Sequence, residues 1–270
     1  MVFRDVLVYV DKDKACDNRI LSAINFSRHY GARLTGLYGM RRITIPVYPG
    51  AVSSAAMIDI VERGATEQYE SAKKIYQEVT SAVELEAEFL ALDGILADEI
   101  AVQSRYADLL VIPRNNNDEF DLNSIYRCGD VMLSAACPVL VVANIKPITL
   151  PIKSVMVAWD GSHESAIALR AAMPMLDQVE KIDLVSVSAN DAEAMDITLH
   201  INRHGIDAET HFVESSQALT GKTLLEKAES LNSQLLVMGA YGHSRVRQMV
   251  LGGATKYVLE NAELPILFSH

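Results

Sequence analysis

The sequence predicts an α/β protein of two tandem Rossmann-like domains, each a five-stranded parallel sheet flanked by helices. Three observations carry this reading. The chain is 270 residues long, where a globular domain usually takes roughly 100–200, so two domains are the first expectation. Three strand-like segments recur in the same order in both halves. Short apolar runs alternate with longer amphipathic stretches, the pattern of parallel strands covered on both faces by helices.

The repeat is read residue by residue. Val2–Asp11 is an apolar run ending in an aspartate, and Pro151–Asp160 has the same shape about 149 residues later. Ala107–Ile112 answers to Ser233–Met238, and Cys137–Val142 to Leu264–Phe268. Lys146–Pro151, with two prolines, reads as the linker between domains 1–147 and 151–270. The first half is longer by about 22 residues, placed around Arg41–Ile60, where Pro46, Pro49 and Gly50 interrupt any period. A plain loop is the preferred reading of that insertion over a lid or partner surface.

In the second half the strands are expected at 153–159, 181–188, 209–214, 234–238 and 265–269. Helices are expected over Ser162–Leu176, Asp191–His204, Ala218–Leu231 and Gly253–Glu260. Ser162 suits an N-cap, with Ile167, Leu169, Ala171, Met173 and Leu176 forming an apolar face behind it. Ligands of such folds bind outside the carboxyl ends of the strands, where the strand order reverses. The ends of the first and fourth strands are therefore the places to inspect.

Composition narrows the partners. Half the residues are hydrophobic and 22% charged, which excludes a disordered chain. With 24 Lys+Arg against 35 Asp+Glu the net charge is −11, which argues against nucleic acid and anionic membranes, since both are gripped by cations. Cys16, Cys128 and Cys137 form no C-x-x-C pair and read as packed thiols of a reducing compartment. The N-terminus lacks a signal-peptide shape and no apolar stretch nears the roughly 20 residues of a membrane helix, so a cytoplasmic location is expected.

The chemistry concentrates after the fourth strand of the second half, where Met238–Thr255 has the pattern G-x2-G-x9-G-G-A-T. Glycines let the backbone approach a phosphate, and a helix beginning near Gly253 would aim N–H groups at it. The same glycines equally suit a tight turn and a helix start. Both readings stand at this level.

On these segments the chain resembles the universal stress proteins in their tandem two-domain form. The spacing Gly239-x2-Gly242-x9-Gly252 is that of the family's ATP-binding motif. The resemblance implies that Asp160 contacts the adenosine moiety, that Met238, Gly239 and Gly242 line ribose and phosphates, and that Gly252, Gly253, Ala254 and Thr255 bind phosphate. It further implies ATP or another adenine nucleotide, with Mg²⁺ held by the phosphates, and an intramolecular pseudo-dimer through Val139–Val142 and Ile266–Phe268. Association of two chains into a homodimer is left open.

One residue departs from the family pattern. Ser or Thr usually follows the third glycine, whereas Gly253 stands here, and a hydroxyl donor worth about 1.5–3 kcal/mol to a charged group is lost. Weaker but retained binding is expected. In the first half, Pro113, Asn116 and Ile125 occupy the glycine positions and Asp118, Glu119 and Asp121 add negative charge. Asp11 alone cannot hold a triphosphate, so that site is expected to be degenerate.

Other candidates weigh less. His200 and His204 share a helix face but form an incomplete metal site, and a solvated face is preferred. His243 lies in the glycine loop within reach of a phosphate, where an exposed loop residue is an equally plain reading. Arg245 and Arg247 either flank the phosphates or point to solvent, and Tyr241 reads as a loop aromatic. Ser162-His163-Glu164 cannot form a relay, because adjacent helical residues project apart. No residue claims the role of hydrolytic base, so any ATPase activity is expected to be slow or absent. A nucleotide-free interaction module is the alternative function.

Overall fold

The computed structural model describes residues 3–11, 16–40, 55–114, 128–143, 146–176, 178–187, 191–216, 218–240 and 253–270. The first half runs β1 (Asp5–Tyr9), α1 (Cys16–Tyr30), β2 (Arg33–Met40), α2 (Ala55–Ser81), β3 (Ala87–Asp93), α3 (Leu96–Ser104), β4 (Leu109–Pro113), α4 (Cys128–Ser134) and β5 (Val139–Val142). The second runs β6 (Ser154–Trp159), α5 (His163–Ala172), β7 (Lys181–Val187), α6 (Asp191–Arg203), β8 (Ala208–Val213), α7 (Thr220–Ser230), β9 (Leu235–Gly239), α8 (Gly253–Asn261) and β10 (Ile266–Ser269). Each half repeats strand–helix alternation, and the strand limits fall within a residue or so of those expected. The first helix of the second half stops at Ala172, and Met173–Met175 tightens into a 3-10 turn around Pro174.

The ten strands form one sheet in the order β3-β2-β1-β4-β5-β10-β9-β6-β7-β8. Within each half the pairing is parallel. The halves meet where β5 and β10 pair antiparallel, Val139 opposite Phe268, Leu140 opposite Leu267 and Val141 opposite Ile266. These runs are apolar because both faces are covered; every residue of β4 and β5 is buried. The side-chain period of two sends Val155, Val157 and Trp159 to one core with Ala168 and Leu169 of α5, and Met156 and Ala158 to the other with Leu224 of α7 and Val258 of α8. Each core contains residues of both halves.

The duplication persists where its chemistry has changed. Asp108, just before β4, accepts from the backbone N–H groups of Arg4 (2.7 Å) and Asp5 (3.1 Å) and so fixes the start of β1. Gln234 stands at the matching place before β9 and accepts from Lys153 N (2.7 Å) and Ser154 N (3.4 Å) at the start of β6. A carboxylate and an amide do one job.

Two expectations about connections change. The insertion around Arg41–Ile60 is not all loop: residues 55–60 open α2, a 27-residue helix against 13 in its counterpart α6, while residues 41–54 lie outside the described residues. The surplus therefore lengthens a helix. The connection between halves is pinned: Ile148 donates its N–H to Ser22 Oγ (3.0 Å) and accepts from Asn25 Nδ2 (2.7 Å), both on α1. Arg114 Nη1 reaches across to the carbonyl of Ala262 after α8, a cation at a helix C-terminus. No helix among the described residues is long and apolar enough to cross a membrane.

Candidate functional site

Strand β6 pairs with β7 on one side and β9 on the other, so chain direction around the sheet reverses between β6 and β9. Helix α5 leaves the end of β6 on one face, and α8 follows β9 on the other. Their N-termini and the two strand ends bring Asp160, Met238, Gly239, Gly253, Ala254 and Thr255 to the carboxyl edge of the second half. Gly242, His243 and Gly252, with Tyr241, Arg245 and Arg247, lie outside the described residues.

The turn after β6 is built from short polar side chains. Asp160 Oδ1 accepts from Ser162 N (3.0 Å) and Ser162 Oγ (2.5 Å), and Gly161 adopts φ +74°. That left-handed turn is one an L side chain rarely adopts. Ser162 then caps α5, accepting from Ser165 N at 3.1 Å. Local turn and cap chemistry therefore engages one carboxylate oxygen of Asp160. The same geometry separates Ser162 from any relay with His163 and Glu164, since its oxygen is committed to the cap.

Gly239 has a packing reason as strong as any ligand reason. A Cβ there would meet the carbonyl carbon of Glu164 at 2.6 Å and the nitrogen of Ser165 at 2.7 Å, both backbone atoms of α5. The end of β9 is thus pressed onto the first turn of α5. Gly253 is the opposite case: a Cβ at this exposed first residue of α8 would meet nothing within 4 Å. Met238 and Thr255 are buried, so they wall the edge from below.

Trp159, the sole tryptophan, is 8% exposed and its indole N–H has no acceptor among the described residues. It immediately precedes Asp160. A buried donor without a partner normally costs about 1–3 kcal/mol. Sequence reading passed over it because a tryptophan in an apolar strand looks like core.

The first half resolves its aspartate differently. The carboxylate of Asp11 lies 2.8 Å from Nη2 of Arg19, whose side chain is wholly buried. Arg19 also donates Nε–H to the Tyr9 carbonyl at 2.6 Å, and its guanidinium stands 5.8 Å from the Tyr9 ring centre. In the repeat, Ala168 takes the place of Arg19, equally buried on α5. Pro113 ends β4 opposite Val142, while Asn116 and Ile125 lie outside the described residues.

A second polar cluster sits on β7 and β8. Ligating atoms of buried Asp183, exposed Glu209 and half-buried His211 lie within 4.8 Å of one another. Lys181 Nζ is 2.8 Å from both carboxylates, and His211 Nε2 is 2.7 Å from Asp183. Hydrogen bonds to Asp183 and Glu209 push the Lys181 ammonium well above its ordinary range, and Lys181 pulls Glu209 down. The cation offsets one of the two carboxylate charges of the cluster. Its sequence signal was residues two apart on one strand face, Lys181 with Asp183 and Glu209 with His211. His200 and His204 do share the exposed face of α6, with ring centres 4.9 Å apart.

This arrangement, parallel strands flanked by helices with the strand order reversing between β6 and β9, is that of the Rossmann-like α/β folds. Within it, residues 204–270 match the model of the universal stress protein family. No curated protein matches the chain in sequence. Among solved structures, a universal stress protein from Archaeoglobus fulgidus DSM 4304 is 17% identical, with a TM-score of 0.74 covering 98% of this chain and 95% of its own. A functionally unknown protein from Pseudomonas aeruginosa PAO1 is 16% identical, with a TM-score of 0.58 covering 98% and 92%. The resemblance read from the sequence holds: the C-terminal part carries the family's sequence pattern, and the likeness of fold extends over nearly the whole chain.

Proposed function

We propose that this protein binds an adenine nucleotide at the carboxyl ends of β6 and β9, in a domain spanning 151–270, as a regulatory ligand of a stress response. The domain spanning 1–147 pairs with it as an intramolecular pseudo-dimer and binds no nucleotide. The observation that carries the reading is the pairing of β6 with β9 at the reversal of strand order, with the end of β9 packed through Gly239 on the first turn of α5 and α8 beginning at Gly253, where a Cβ would meet nothing within 4 Å. Helix N-termini offer unpaired N–H groups and a favourable dipole to phosphate. The residues fit such a ligand. Gly253, Ala254 and the Gly239-x2-Gly242 segment would hold phosphates through backbone N–H groups, and Asp160 the sugar through its carboxylate. Mg²⁺ would be carried by the phosphates and neutralise their charge beside a protein of net charge −11.

The engagement of Asp160 Oδ1 by Ser162 favours the second reading, a nucleotide-free interaction module. Calorimetric titration of ATP with Mg²⁺, with Trp159 fluorescence recorded in parallel, separates the two. One equivalent bound by the wild-type protein, and lost in Gly242→Val, is expected. No heat and no fluorescence change at millimolar nucleotide would leave the interaction module standing.

A further inference from the structure

Among the described residues, β7 and β8 bring three metal-ligating side chains together. Asp183 stands opposite Glu209 in the β7–β8 register, and His211, two residues further along β8, projects from the same face. Their ligating atoms lie within 4.8 Å of one another. Lys181 Nζ and His211 Nε2 reach the same oxygen of Asp183, Oδ1, at 2.8 and 2.7 Å, and the ammonium also lies 2.8 Å from Oε2 of Glu209. The Asp183 side chain is 2% exposed and that of His211 17%, against 43% for Lys181 and 60% for Glu209. The floor of the cluster is buried and its mouth is open to solvent.

The duplication supplies a comparison within the chain. The strand registers place Arg33, Thr35, Glu88 and Leu90 of the first half at the positions of Lys181, Asp183, Glu209 and His211. The cation and the glutamate are common to both halves, and Arg33 pairs with Glu88 as Lys181 does with Glu209. The strand pair itself therefore calls only for that exposed ion pair. What the second half adds is a carboxylate and an imidazole, side by side, where the first has a hydroxyl and an alkyl side chain. Burying a carboxylate is costly unless cations or donors meet it, and Thr35, also buried, shows that the position packs without one. With Glu209, the added pair makes a set of one nitrogen and two oxygen donors, which suits zinc.

We propose that Asp183, Glu209 and His211 form a Zn²⁺ site, in which the ion displaces the ammonium of Lys181. The contact between Asp183 and His211 joins two ligands, so Lys181 is the one group that must leave. Its side chain is nearly half exposed and turns to solvent without disturbing the strand. The two carboxylates hold Lys181 protonated, so it cannot ligate the ion and is repelled by it. With the ammonium in place the carboxylates keep one uncompensated charge; a divalent ion offsets both. Three protein ligands leave a fourth, outward position of a tetrahedral zinc for water. Mg²⁺ prefers octahedral oxygen ligands, so an imidazole in the set separates this site from the Mg²⁺ that a nucleotide carries. The ion would tie β8, the last strand of the sheet, to β7.

The test is calorimetric titration of Zn²⁺ alone into the full chain, freed of metal by a chelator and without nucleotide, so that its outcome is independent of the nucleotide reading. Zinc should bind, and should raise the melting temperature because the site exists only in the folded state. Asp183→Thr and His211→Leu install the residues that the first half carries at these positions; each should weaken binding about tenfold or more and remove the rise in melting temperature. Lys181→Met should tighten binding severalfold, since the competing cation is gone. His200→Ala with His204→Ala, on the exposed face of α6, should leave the binding at this site unchanged. Absence of binding at sub-millimolar zinc overturns the proposal. So does binding that survives both Asp183→Thr and His211→Leu, or that is lost with the α6 histidines. Weaker binding by Lys181→Met, a variant that keeps all three ligands, overturns it as well.

Discussion

Substituting Gly253→Ser tests the nucleotide reading at the point where geometry is most permissive. The site accepts a side chain, since a Cβ there meets nothing within 4 Å. Helix formation is not impaired either, because serine is a better helix residue than glycine by a few tenths of a kcal/mol. What the substitution adds is one hydroxyl at the first residue of α8, beside the N–H groups proposed to hold phosphate. A hydrogen bond to a charged partner contributes about 1.5–3 kcal/mol, and each 1.4 kcal/mol is tenfold in affinity, so ATP should bind roughly ten- to a hundredfold more tightly. Calorimetry on both proteins, with thermal melts confirming an equal or slightly raised stability, measures this directly. An affinity unchanged within a factor of two, on an intact fold, would refute the placement of phosphate at this helix.

Two other substitutional and chemical tests address stability. Gly239→Ala forces a Cβ within 2.6–2.7 Å of two backbone atoms of α5; overpacking of this kind costs about 1–3 kcal/mol, and a fall of several degrees in Tm by calorimetric scan is expected, with no bound ligand needed to see it. An unchanged Tm would mean that β9 and α5 separate freely. Burial pushes the Cys16 thiol up to about 11 and the Cys137 thiol up to about 12, from an ordinary 9.0. A folded value raised above the unfolded one gives stability that is complete below pH 9.0 and lost as pH rises towards 11–12, because the unfolded state ionises first. Chemical denaturation between pH 8 and 11 should therefore show falling stability, and a native thiol titration at pH 8 should find Cys16 and Cys137 unreactive.

Much of this was legible in the residues, for identifiable reasons. Strands such as Leu109–Pro113 and Leu235–Met238 are buried on both faces, so their apolar runs carry no competing pattern. Ser162 announced its cap because a small hydroxyl before an apolar periodic run has few other uses. The extra length of α2 was hidden: Pro46, Pro49 and Gly50 signal a break, but nothing in the interval says where a helix resumes. Gly239 shows the limit of motif reading. One glycine satisfies a phosphate turn and a backbone contact alike, and spacing cannot tell the two demands apart. The pairing of Lys181 with two carboxylates and the exposure of Phe212 depend on which strand lies at the edge, a property of the assembled sheet.

The pair Asp11 and Asp160 shows how a duplicated fold can divide its labour through one buried position. The two aspartates end equivalent strands, and each lies over the first turns of the helix that follows. Under Asp11 the helix supplies Arg19, wholly buried, at 2.8 Å from the carboxylate and 2.6 Å from the Tyr9 carbonyl. Under Asp160 it supplies Ala168, and the carboxylate turns to Ser162 with one oxygen. A buried guanidinium is stabilised only with its partners in place, since leaving such a charge unpaired costs several kcal/mol. Arg19 therefore holds Asp11 to a structural duty and fills the space beneath it, while the alanine of the second half imposes no such duty. Pro113, Asn116 and Ile125 stand where the second half has glycines. In the first half the charge of Asp11 is met within the chain by Arg19, which gives that aspartate a structural role that needs no ligand.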